Sequence, residues 1–298
     1  MSWLALTITA YGLNAIGILT DKLLLRRTIP HAAVYTFYVN ASGALLLLLL
    51  PFAPGIPPLP LLVIALLAGA AFTLASFLFY TLLRMTDASE ASPIVGSLSP
   101  VAVFFLAALM LQESLTAPQV VAFGVILLGS VILAHEEHRP KRDPEFTIIL
   151  LGTAAAFLYG LSHVLSKFVY VHHDFLNGMI WRTVGSSLAA MFLLVSHTTR
   201  KHIVDDIKRP KPETGALFLA GKACGAASFV LVSYAYTIGS IAIVNALAGV
   251  QYFFLFIFLL FLARSRPHLL AEHLTGQALI RKLVSLALIS AGIALLFA

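Results

Sequence analysis

Charge is scarce in this sequence: Asp, Glu, Lys and Arg together supply 11% of its 298 residues, against about 25% in an ordinary soluble domain. So little charge excludes a surface that faces water throughout. Cysteine is rarer still, with only Cys224, inside an apolar run, which excludes an internal disulfide framework and a cysteine metal cluster. The opening Met1-Ser2-Trp3-Leu4 has neither the basic region nor the small-residue cleavage site of a secretory signal. The first apolar run is therefore expected to be retained as a membrane span.

Apolar side chains are what the sequence has in quantity: they make up 60% of it, with a mean hydropathy of +0.95. Runs bounded by charge, proline or polar clusters fall near 2–20, 32–51, 60–83, 89–111, 117–134, 146–169, 176–196, 214–237, 240–263 and 279–297. Each is close to the roughly 20 residues that cross a bilayer. Only a helix satisfies its own backbone in hydrocarbon along an open chain. The expected fold class is an all-α integral membrane protein of ten transmembrane helices. Aspartate and glutamate are missing from the middle of these runs, since Asp21, Glu90 and Glu113 fall near ends.

The net charge of +6 comes from basic residues in short blocks without interleaved aromatics, so nucleic acid is not an expected partner. When the loops are assigned alternately to the two faces, the blocks at Lys22–Arg27, Arg84, Arg139–Arg142, Arg200–Lys211, Arg264–Arg266 and Arg281–Lys282 fall on one face. Lys167 alone falls on the other, while Arg182 and Lys222 lie within spans. Cytoplasmic loops collect lysine and arginine. This sorting supports ten spans with both termini outside; the expected location is the plasma (inner) membrane of a prokaryote.

Internal similarity appears at three places, in the same order in each half. Tyr11-Gly12-Leu13-Asn14 echoes Tyr159-Gly160-Leu161-Ser162; Ile94-Val95-Gly96 to Val101 matches Ile243-Val244-Asn245 to Val250; and Leu111-Gln112-Glu113-Ser114-Leu115-Thr116 matches Leu270-Ala271-Glu272-His273-Leu274-Thr275. A duplicated unit with an odd number of spans must enter the membrane with opposite polarity, giving the inverted repeat common among secondary transporters. The expected division is a five-helix repeat over 1–138, a basic linker over 139–145 and a second five-helix repeat over 146–298.

With its five-plus-five layout, its small-residue fourth and ninth spans and the Glu-x-Leu-Thr step after Leu111 and again after Ala271, the chain resembles a ten-helix, EamA-type member of the drug/metabolite transporter superfamily. The resemblance implies a permease with a central cavity between two halves, opening alternately to each side. One departure is the proline-rich, uncharged segment from Pro51 to Pro60, where relatives often carry basic residues.

Ionisable groups within a span are costly enough to suggest function. Lys222 lies roughly 13 Å into the eighth span at 1.5 Å per residue, and corresponds to Ala70 of the first half when Ala75-Ser76-Phe77 is aligned with Ala227-Ser228-Phe229. Its expected role is to bind an anionic group, the bland alternative being an ammonium held by carbonyls or a hydroxyl. Arg182 is a second substrate-contact candidate, close enough to a boundary to reach the interface by snorkelling. His163 could carry a proton for coupling or be a structural histidine. Asn14, Tyr80, Tyr234, Tyr236, Asn245 and Gln251 are candidates to line a cavity, with interhelical hydrogen bonding as the alternative. Pro93 and Pro100 remove backbone donors inside the fourth span and are candidate hinges.

His135-Glu136-Glu137-His138 and His172-His173-Asp174 lack the ordered spacing of a zinc site and lie in connections, so no metal, cofactor or catalytic residue is expected. The expected partners are a small-molecule metabolite and membrane lipid, with a homodimer left open. The leading expectation is an alternating-access secondary transporter of a neutral, zwitterionic or anionic metabolite. The alternative is a lipid flippase or an intramembrane enzyme acting on headgroups.

Overall fold

The structure, a computed structural model, describes residues 2–27, 29, 31–53, 55–86, 88–134, 145–208, 212–251, 253–255, 257–258 and 276–295. These residues are almost entirely helical. In chain order the helices are α1 (Ser2–Arg27), α2 (Ala32–Ser42), α3 (Leu59–Met85), α4 (Ala88–Met110), α5 (Ala117–Ala134) and α6 (Glu145–His172). There follow α7 (Phe175–Phe192), α8 (His197–Lys208), α9 (Pro212–Ile238), α10 (Ile241–Ala246) and α11 (Gly276–Leu295). Tighter 3₁₀ turns extend α2 through Gly43–Phe52 and α7 through Leu193–Val195.

Among the described residues, six helical stretches are long and apolar enough to cross a membrane, and four shorter apolar helices accompany them. Large apolar side chains such as Leu48, Phe52 and Leu109 lie on the outside, which suits a hydrocarbon solvent rather than water. The all-α membrane fold is thus present, and helix occupies at least part of every interval expected to span. Two differences stand out. Helix α1 continues to Arg27, several residues past its expected end, and the polar connection after 196 contains α8, whose HTTRKHIVDDIK sequence is too hydrophilic to cross a bilayer. The expected linker falls largely at 139–144, outside the described residues.

Local chemistry fixes several helix ends. Asp174 caps α7 by accepting the amide N–H of Asn177 at 2.9 Å, and Pro60 sits in the first turn of α3, where its missing N–H costs no hydrogen bond. Gln112 ends α4 in a left-handed conformation, φ 52°, while the Glu113 N–H returns to the Ala107 carbonyl at 3.3 Å. Helix α4 runs unbroken through Pro93 and Pro100.

The helices interleave across the two halves of the chain. The principal interfaces are α1 with α9, α3 with both α6 and α7, α4 with α6, and α5 with α11. Small residues permit the close crossings, as expected where packing rather than hydrophobicity drives association. A Cβ on Gly69 of α3 would fall on the backbone of Arg182 and Ser186, and one on Gly185 of α7 would fall on the backbone of Leu66. Gly129 and Gly292 bring α5 and α11 together in the same way, and the Ser285 hydroxyl donates to the Gly129 carbonyl.

Candidate functional site

Helix α9 organises the polar interior. Lys222, Phe229 and Tyr236 recur at intervals of seven residues, two helical turns, and therefore share one face over about 21 Å. Gly239 and Ser240 follow where the helix ends. Each position meets a different polar or aromatic group from a neighbouring helix, and together they form a column through the packed helices.

At the first level the Lys222 ammonium pairs with the Asp21 carboxylate of α1 at 2.7 Å. Asp21 also accepts the Tyr35 hydroxyl at 2.6 Å and the Tyr80 hydroxyl at 3.2 Å. Lys222 lies 5.3 Å from the Tyr35 ring and 5.9 Å from those of Tyr80 and Phe218. Lys222 therefore has its own carboxylate. The sequence placed Asp21 at a helix end, but the longer α1 carries it into the core, where it is 5% exposed.

Two turns along α9 the Arg182 guanidinium lies 4.3 Å from the Phe72 ring centre and 4.4 Å from that of Phe229. It is 3% exposed and so does not snorkel to the interface. Nη2 donates to the Ser162 hydroxyl across a long 3.4 Å, and Nε has no hydrogen-bond partner among the described residues. Tyr159 links this level to the first: its hydroxyl donates to Ser76 at 3.2 Å and its ring packs edge-on to Phe72 at 5.3 Å.

Further along, the His163 ring lies 6.2 Å from Tyr159 and 5.6 Å from Tyr236. Asn245 of α10 donates to the Tyr236 hydroxyl at 3.2 Å and to the Ile241 carbonyl at 3.0 Å. At the far end Lys167 of α6 pairs with Glu113 and donates to the Gly239 carbonyl at 2.8 Å, while the Ser240 hydroxyl donates to Glu113 at 3.1 Å. A shallow cavity of about 410 Å³ opens beside this cluster, lined by Leu109 to Glu113 and by Lys167, Phe168, Val171 and His172.

Of the residues singled out from sequence, Lys222, Tyr80, Arg182, His163, Tyr236 and Asn245 lie along the column. Asn14 and Gln251 meet one another, with the Asn14 amide donating to the Gln251 side-chain oxygen at 2.6 Å, and so tie α1 to the segment after α10. Tyr234 stands apart, 45% exposed and packed on Phe175 at 5.7 Å. His172 contacts the Phe168 carbonyl, and Asp174 is occupied as a helix cap; His135 to His138 lie outside the described residues. Among the described residues no cluster of three metal-capable side chains forms.

Sequence reasoning missed Asp21, Tyr35, Phe72 and Phe229. A phenylalanine in an apolar run carries no signal until a cation is placed beside it. Asp21 could have been found by noticing that Lys222 needs a counter-ion and that Asp21 is the only carboxylate of the first apolar helix.

No curated protein matches the chain. A protein of known crystal structure shares the fold, with a TM-score of 0.65 at 18% identity over 99% of this chain and 96% of its own. The model of the EamA-like transporter family matches residues 1–134, the segment from α1 through α5. Over that segment the chain is similar to the EamA-like transporter family, part of the drug/metabolite transporter superfamily.

Proposed function

We propose that the protein is an alternating-access secondary transporter of a small neutral, zwitterionic or anionic metabolite, with its binding region along the column on α9. The observation that carries the reading is the column itself. Buried charges and hydroxyls are expensive in a membrane-embedded fold and mark solute pathways, and this series joins Lys222–Asp21 to Lys167–Glu113 through Arg182, His163 and Tyr236.

The packing supports two inverted five-helix halves, residues 1–138 and 146–298, as the moving bodies. In a two-fold arrangement that exchanges the halves, α1 against α9 becomes α6 against α3, and both interfaces are extensive. The interfaces of α2 with α7, α4 with α10 and α5 with α11 each map onto themselves. Rocking of one half against the other would expose the column first to one face and then to the other. Pro93 and Pro100 in α4 are the proposed hinges, and the one-sided basic loops support a plasma-membrane orientation with both termini outside.

A lipid-active protein would present its cations to a groove open to lipid. Arg182 at 3% exposure and Lys222 beside Asp21 support a laterally closed pathway instead. The test begins with purified protein screened for thermal stabilisation by amino acids, organic acids, phosphorylated metabolites and lipid headgroups. Stabilising solutes then go to counterflow measurements in proteoliposomes. Counterflow of a soluble metabolite is the expected result; a response confined to headgroups would overturn the reading in favour of lipid transport.

A further inference from the structure

We infer that Arg182 is the point at which the solute's acid group binds, and that the solute is a small monocarboxylate. This inference rests on the transporter reading and assigns the chemistry of its central site.

Three cations line the column, and they are not equivalent. Lys222 has the Asp21 carboxylate at 2.7 Å, and Lys167 has Glu113. Arg182 has no carboxylate among the described residues, although at 3% exposure it is the most deeply buried of the three. The rings of Phe72 and Phe229 against it offer π faces but no hydrogen-bond acceptor. Of the five N–H groups in a guanidinium, one reaches Ser162 at 3.4 Å and Nε–H reaches no acceptor among the described residues. A buried cation left with spare, coplanar donors is a receptor for a planar, two-oxygen anion, because the guanidinium fork matches a carboxylate in bidentate fashion.

The neighbouring charges define the rest of the solute. Its acid group gains Arg182, but a second carboxylate would find Lys222 and Lys167 already neutralised by Asp21 and Glu113. A dicarboxylate would therefore bury one charge without a counter-ion, which is strongly unfavourable in this setting. The Tyr159 ring packs on Phe72, which itself lies against Arg182, and the His163 ring stands beside Tyr159 and Tyr236. These groups form a surface of rings and hydroxyls suited to a compact, partly apolar body.

The test uses full-length protein in nanodiscs of zwitterionic phosphatidylcholine at constant ionic strength. Sodium lactate, sodium benzoate, sodium succinate, sodium phosphate and neutral lactamide are titrated while the thermal midpoint is followed. Lactate or benzoate should raise the midpoint at a concentration at least fivefold below that needed for succinate or phosphate, with lactamide inert. R182Q should weaken the response at least tenfold. R182K, which keeps the charge but loses the fork, should weaken it too, and it provides the comparison if R182Q does not fold.

An equal response of R182K and wild type to lactate and benzoate would overturn the assignment, as would stabilisation by lactamide or stronger binding of phosphate. Nanodiscs containing phosphatidylglycerol form the remaining arm: stabilisation by that lipid which is lost in R182K would assign Arg182 to a headgroup phosphate and overturn the soluble carboxylate. Uptake of labelled lactate and benzoate into proteoliposomes separates the two readings. Arg182-dependent binding without uptake would reject the transporter and keep the site, whereas uptake unaffected by R182K would reject the site and keep the transporter.

Discussion

Lys222 of α9 and Asp21 of α1 meet at 2.7 Å, and the same carboxylate holds the hydroxyls of Tyr35 and Tyr80. The partners are not equally dependent on each other. Without Lys222, Asp21 keeps two phenolic donors; without Asp21, Lys222 keeps only ring faces among the described residues. Breaking a buried pair costs about 3–5 kcal/mol, and with side chains 17% and 7% exposed a discounted cost of about 2–4 kcal/mol follows. Asp21→Ala should sit at the upper end of that range and Lys222→Ala at the lower. The double variant Asp21→Asn, Lys222→Gln should cost less than its two single changes summed. Equilibrium unfolding in mixed detergent measures all of these, and strictly additive costs would show that the pair carries no coupling.

Gly69 and Gly185 make a different kind of contact, backbone against backbone. With α3 and α7 this close, a methyl group at either position collides with atoms that cannot move without separating the helices. Gly69→Ala and Gly185→Ala should each destabilise by roughly 2–4 kcal/mol, the range of severe packing changes. Gly225→Ala in α9, where a Cβ meets nothing within 4 Å, should be neutral or stabilising by up to about 1 kcal/mol. Size-exclusion profiles after graded heating would rank the three; similar behaviour of Gly69→Ala and Gly225→Ala would mean that the α3–α7 crossing is looser than described.

The architecture was readable because hydrophobic run length is a one-dimensional property. A segment such as 60–83 must become a helix whatever surrounds it, and α3 occupies Leu59–Met85. The buried cations were also readable, since Lys222 and Arg182 stand out against apolar neighbours. Their partners were not. Whether Lys222 is free or neutralised depends on how α1 and α9 are placed against each other, and Asp21 sits 201 positions away in the chain. Tyr234 shows the same limit from the other side. It and Tyr236 are two residues apart, hence on different faces of α9, and the sequence does not say which face turns inward. Helix α8 was missed because its charged sequence reads as a loop until its twelve residues are seen to be wound into a helix.

Gln112 carries the left-handed cap that aims Glu113 at Lys167. A side chain at φ 52° is strained by roughly 1–2 kcal/mol, a cost glycine does not bear. Gln112→Gly should therefore raise stability by about 1 kcal/mol, after allowing for the greater freedom of glycine in the unfolded chain. Glu113→Gln keeps the shape and weakens the charge pairing, so hydrogen exchange at residues 238–241 should accelerate while that of α1 stays unchanged. An unchanged rate at 238–241 would indicate that the Lys167–Glu113 contact does not restrain the end of α9.

The face of α9 that carries the column can be distinguished chemically from the face toward lipid. In a Cys224→Ser background, single cysteines at Phe229, Ser233 and Tyr236 would test one side, and cysteines at Leu219 and Tyr234 the other. Ser233 and Tyr236 are 2% exposed, whereas Leu219 and Tyr234 are 67% and 45% exposed on the outside of the bundle. A charged, water-soluble thiol reagent reacts only where water reaches and the thiol can ionise. If the column is a solute path that opens to water during the transport cycle, its cysteines should be modified slowly in membranes, and those at Leu219 and Tyr234, held in hydrocarbon, hardly at all. A solute that occupies the column should slow modification at Phe229 and Tyr236 without altering the lipid-facing positions. Faster reaction at Tyr234 than at Tyr236 would place the water on the opposite face of the helix and rule out the path along Lys222, Phe229 and Tyr236.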